Sequence, residues 1–105
     1  MSEQDRMNRF HVGELVFHVR YNYRGVIFAY DTEFRGSDDW YASNRSQPAR
    51  DQPWYHVLVD QANHTTYVAE ENLIEDSDQG PIQHPLVEKF FATFLDGHYY
   101  VNSMN

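Results

Sequence analysis

The sequence predicts a mainly β domain finished by a C-terminal helix, on three observations. Five short segments rich in β-branched and aromatic residues lie between residues 14 and 75, separated by turn-forming residues. The second of them, Val26-Ile-Phe-Ala-Tyr30, is almost continuously apolar, as a strand covered on both faces must be. Beyond residue 80, Pro85 stands before Leu86, Phe90, Phe91, Phe94 and Leu95, which share one helical face. Together these fit a small SH3-like β-barrel of about five antiparallel strands, with a C-terminal α-helix over about residues 85–95 packed on its outer face. One sheet with the helix laid on a single face is the alternative.

Each element has its own signal. Met1 to Arg9 is polar and reads as a disordered lead-in, leaving residues 10–105 as a single domain. From Glu14 to Arg20 the residues alternate, with Leu15, Phe17 and Val19 on one side and Glu14, His18 and Arg20 on the other. Tyr21-Asn-Tyr-Arg-Gly25 then turns the chain into Val26–Tyr30, which suggests an antiparallel hairpin. Thr32 to Pro53 is a long polar loop, within which Ser37 is placed to cap a short helix. Trp54 to Asp60 is the third strand and Thr65 to Ala69 the fourth. Glu70 to Ile74 reads as a tight turn into a short fifth strand, and Asp76 to Pro81 as a linker. Gly97 is placed to stop the helix.

Composition narrows the class. At 105 residues, 41% hydrophobic and 23% charged, the chain has enough apolar material for one core and too much for a disordered tail. Its longest apolar run is far shorter than a membrane span, and its first residues hold no apolar signal segment, so no membrane partner is expected. Cysteine is absent, which removes disulfides, thiolate metal sites and thiol nucleophiles and fits a cytoplasmic location. The net charge is −8 and is unevenly spread: residues 1–50 are neutral with seven arginines, whereas residues 51–105 set nine acids against Lys89 alone. Such a surface repels phosphate at long range, so any contact with DNA falls to the arginines of the first half and is expected to be weak.

The signals for catalysis are poor. Six histidines invite a metal hypothesis, with His18 and His56 approaching across paired strands and Asp31 or Asp60 as a third ligand. No His-Glu-x-x-His spacing occurs, so the expectation is hydrogen-bonded sheet histidines with no metal and no cofactor. The serines lie in polar loops or termini, outside any nucleophile elbow, and five glycines form no phosphate-cradling loop. Acid pairs such as Asp38-Asp39 and Glu70-Glu71 are neighbours in turns, where carboxylates are usually solvated. The chain is therefore expected not to be an enzyme.

Binding is better supported, because aromatic residues reach 16%. Tyr21, Tyr23, Arg24, Trp54 and Tyr55 should meet where the first hairpin approaches the third strand, with His18 and Arg20 adding local positive charge. Such a patch can stack a base or hold an extended peptide. The competing account is that a small barrel needs large side chains to fill its core.

Four segments in order carry a resemblance: Val12 to Ile27 (VGELVFHVRYNYRGVI), Asp51 to Val59 (DQPWYHVLV), Thr66 to Leu73 (TYVAEENL) and His84 to Val87 (HPLV). Over about residues 10–101 the chain resembles the YccV-like, or HspQ, family of hemimethylated-DNA-binding domains. The tail from Phe90 to Asn102 is more similar to the version of this domain fused to F-box proteins. The resemblance implies a regulatory binding module for DNA, and the Arg20 and Arg24 patch, read from the residues, is where a weak contact is expected. It implies as the alternative an adaptor that recognises an ATP-dependent protease such as Lon, or its substrates, in a stress response. The acidic net charge favours that adaptor reading.

Overall fold

A computed structural model describes residues 8–101. Most of the expected lead-in therefore lies outside the described residues. Its last described residue, Arg9, donates its backbone N–H to Glu70 Oε2 at 2.8 Å. The described residues are mainly β. They comprise β1 (Leu15–His18), β2 (Tyr23–Asp31), β3 (Trp54–Val59), β4 (Thr65–Ala69), β5 (Leu73–Glu75), β6 (Thr93–Leu95) and β7 (His98–Tyr100). Two short helices, α1 (Asp38–Ser43) and α2 (Val87–Phe90), and a 3-10 turn at Glu70–Asn72 complete them.

The first five strands form one antiparallel sheet in the order β4-β3-β2-β1-β5, and β6 pairs with β7 in a separate hairpin. The ladder runs from β4 at one end to β5 at the other, so its hydrogen bonds do not register the closed barrel expected from the sequence. Both faces of the sheet are nonetheless covered. Val16, Ile27, Tyr55, Val57, Val68 and Leu73 share one cluster with Phe10, whereas Leu15, Val26 and Leu58 join Ile82, Phe91 and Tyr99 in a second. Sequence neighbours such as Leu15 and Val16 thus point to opposite cores, which is why β2 reads as continuously apolar.

This double coverage also corrects the alternation expected for β1. Leu15 and Val16 are both buried, His18 is only 4% exposed, and Val19 is 44% exposed beyond the strand's end. Register along β2 is locally shifted between Ile27 and Ala29, and the extra residue, Phe28, lies 4.7 Å from the Phe90 ring. Gly25 has no room for a side chain, because a Cβ there would strike the Leu58 carbonyl and Val57 on β3.

The C-terminal segment differs most from expectation. Helix covers only Val87–Phe90, and Phe94 and Leu95 belong to β6. The reason lies in Asp96-Gly97, with φ of 52° and 79°, the left-handed pair that a two-residue hairpin turn demands. The expected helix stop is a hairpin turn. The aromatic stripe still packs on the second core, reaching it from a turn of helix and a hairpin.

Candidate functional site

The first hairpin positions the site. Residues 19–22 link β1 to β2, with Asn22 at φ 60° closing the turn. His18 anchors this turn: its Nδ1 accepts the backbone N–H of Arg20 and of Tyr21, each at 3.1 Å. Nδ1 is then an acceptor, so the ring proton sits on Nε2. Burial, with a smaller contribution from the nearby Arg20 charge, lowers the pKa of His18 and keeps it neutral. Tyr21 and Tyr23 flank the imidazole, with ring centroids 4.8 and 5.0 Å away. Tyr23 is tied to β4 by a 2.6 Å hydrogen bond between its hydroxyl and that of Thr66.

Across β4 from this hairpin stands the long loop. Ser37 Oγ accepts the Trp40 N–H at 3.0 Å, the N-cap expected from sequence, and so starts α1. Phe34 stacks on Trp40 at 5.8 Å and 25°, and Trp54 meets Phe34 at 5.0 Å. The Tyr41 hydroxyl donates to the carbonyls of Gln47 and Pro48, and the Arg50 guanidinium lies over its ring at 4.2 Å while pairing with Asp38. Tyr67, on β4, donates to Asp31 Oδ2 at 2.6 Å, and burial and that bond push its pKa up to about 12.

Between hairpin and loop runs a cleft along β4. Its outer part has a volume of about 390 Å³ and is bounded by His18, Tyr21, Tyr23, Trp40, Asn44 and the residues Thr65 to Val68, with His56 at one end. A smaller cavity of about 50 Å³ adjoins it toward the buried Trp54, sharing His18, Tyr21, Trp40, Asn44, Tyr67 and Val68 with the cleft and adding Tyr41, Ser46, Pro48, Trp54 and Asn72. Tyr21 and Trp40 are 51% and 39% exposed at the opening. No carboxylate lines either part among the described residues, in a chain with sixteen acids.

The structure divides the seven residues singled out from the sequence. His18, Tyr21, Tyr23 and Trp54 line the cleft, and Arg20, exposed in the turn, gives its backbone N–H to the His18 ring. Tyr55 is fully buried, its hydroxyl donating to Glu70 Oε2 at 2.7 Å and accepting the Phe10 N–H. Arg24 faces away, its guanidinium enclosed by Asp60, Asp76 and Asp78 and by the carbonyls of Asp78, Gly80 and Pro81. The cleft adds Trp40, Tyr41, Asn44 and Tyr67, none of which was in the sequence-derived set. A signal existed: Trp40 and Tyr41 are large rings in an otherwise polar loop, directly after a helix cap. His18 and His56 both border the outer cleft, but no group of three or more metal-ligating side chains that could hold an ion occurs among the described residues.

Fold and cleft together define a small β domain with an aromatic cleft along β4. The family described as "Hemimethylated DNA-binding protein YccV like" matches residues 8–98, and the chain belongs to this YccV-like family. It is 32% identical over 104 residues to F-box only protein 21 of Pongo abelii and of Homo sapiens, covering 96% of this chain. F-box only protein 21 of Mus musculus is equally similar. The chain spans only 17% and 16% of the length of the first two relatives. Among the described residues no helix is long and apolar enough to cross a membrane.

Proposed function

We propose that the domain is a non-enzymatic regulatory module that binds DNA through the β4 cleft. Tyr21 and Trp40 stack on bases, and the exposed Arg20, in the turn after His18, and Arg45, between the lining residues Asn44 and Ser46, meet phosphates. One observation carries this reading: an acidic chain keeps its aromatic cleft free of carboxylates. Membership of a family described as hemimethylated-DNA-binding supports it. With these two arginines the salt dependence should be shallow, a slope of about −2 in log affinity against log salt. The strand order, with the 3-10 turn joining β4 to β5, supports reading the sheet as an SH3-like barrel that is open between those two strands.

The test is fluorescence anisotropy with hemimethylated, fully methylated and unmethylated duplexes at roughly 50 and 150 mM salt. Methylation-dependent binding that survives the higher salt supports the reading, and Arg20→Ala should then reduce the slope by about one unit. Absence of binding at either salt overturns it. The net charge of −8 would then favour a protein partner, the adaptor alternative.

A further inference from the structure

We propose that the cleft takes one methylated base swung out of the DNA stack, its ring in the outer part and its methyl group in the inner aromatic cavity. The inference rests on the DNA-binding reading and adds to it a mode of recognition.

The two compartments differ in what they admit. An apolar cavity of about 150 Å³ holds a benzene ring. The outer cleft, at about 390 Å³, therefore accommodates a planar heterocycle, whereas the inner one, at about 50 Å³, is too small for a ring and has room for a single small group. Beside polar Ser46 and Asn72, that inner space is bounded by rings that contacts within the fold already hold. Trp54 is 2% exposed, Trp40 is backed by Phe34, and the Tyr41 hydroxyl is held by two carbonyls. A cavity that cannot collapse rewards the group that fills it.

The polar groups suit a base edge. His18 carries its proton on Nε2, for which the described residues supply no acceptor. Asn44 spends one Nδ2 hydrogen on the Trp40 carbonyl at 2.7 Å, leaving the other to donate and Oδ1 to accept. Donors and an acceptor beside a flat slot can meet the mixed pattern of a base edge. A methylated ammonium also fits aromatic walls. The absence of lining carboxylates favours the uncharged heterocycle.

Extrusion follows from which surface the cleft offers. A base stacked in a duplex shows only its edge in the groove, and its faces are covered by neighbours. Tyr21 and Trp40 expose ring surface at the opening, each with one face taken by His18 or Phe34, and a base can stack on the other only after leaving the duplex.

The experiment uses the full chain with hemimethylated duplexes carrying methyladenine or methylcytosine and a 2-aminopurine beside the methylated base. The expected result is a several-fold rise in 2-aminopurine fluorescence at saturation, with one of the two methylated bases preferred. Trp40→Ala should abolish the rise at a temperature where circular dichroism shows the variant still folded, and if it fails to fold, Tyr21→Ala, at a more exposed ring, serves the same purpose. Tyr41→Ala, which opens the inner cavity, should bring the ratio of methylated to unmethylated affinity close to one. Binding by anisotropy with no fluorescence rise overturns the extrusion while leaving DNA binding intact. Absence of any binding overturns both. Tighter binding of a trimethyl-lysine peptide than of any duplex, lost in Trp40→Ala, would reassign the cleft to a peptide.

Discussion

Arg24 Nε donates to Asp76 Oδ2 at 2.6 Å, fastening the start of β2 to the residue at which the chain leaves β5. The same guanidinium reaches Asp60 at 3.2 Å, just past β3, so one side chain clamps three strand ends. Asp76 is 5% exposed, a carboxylate whose burial depends on this partner.

Arg24→Ala should therefore cost stability rather than DNA contact. Removing the cation leaves Asp76 and Asp60 facing each other with little water, a loss of about 3 kcal/mol. Urea denaturation should show a lower midpoint, while anisotropy below the melting transition should show wild-type DNA affinity. A variant of normal stability with weakened binding would return Arg24 to the interface.

Trp54 lies both in the core and at the bottom of the inner cavity, being 2% exposed with Nε1 donating to the Ala49 carbonyl. Trp54→Ala should cost about 3–5 kcal/mol. Trp54→Phe should keep the fold and enlarge the cavity, and the separation appears when melting and methyl preference are measured on the same sample.

Acidification should loosen the first hairpin. The folded pKa of His18 lies below its usual 6.5, so the unfolded chain takes up the proton first. The stability linked to this group is complete above pH 6.5 and is lost as pH falls from there through the folded pKa. Protonation also removes the Nδ1 lone pair that accepts the Arg20 and Tyr21 N–H groups. Melting temperatures of wild type and His18→Gln between pH 7.5 and 5 provide the check. The wild type should lose more on acidification, and parallel curves would contradict the account.

Deleting residues 85–105 should uncover Leu15, Val26 and Leu58, which pack against Phe91 and Tyr99. The expected outcome is aggregation with binding of a hydrophobic dye. A soluble truncation that melts cooperatively would show that the second core is dispensable.

The strands were legible where local chemistry decides. Thr65 to Ala69 is β-branched and aromatic between polar turns, and it forms β4. The spacing from Phe90 to Leu95 predicts helix, yet the structure is a turn and a hairpin, because the spacing that puts rings on one side of a helix also lets these present them. Asp96-Gly97 distinguishes the two, being the stronger signal for a hairpin than for a helix end.

The site was half legible. His18, Tyr21 and Tyr23 belong to one hairpin, so their proximity follows from a short turn. Trp40, Tyr41 and Asn44 reach the cleft only because the loop is shaped by the Ser37 cap, the Arg50–Asp38 pair and packing around Phe34.

By itself the sequence determined a β-rich fold, its five main strands, its family and the excess of acid in its second half. These depend on residue type and short-range spacing. Only the tertiary structure decided that Arg24 is spent on acids 36, 52 and 54 residues away, that both faces of the sheet are covered, and that two aromatic walls enclose a cleft free of carboxylates. Those outcomes depend on which distant residues meet, and burial, not residue type alone, settles whether an arginine or a tryptophan is left to bind anything.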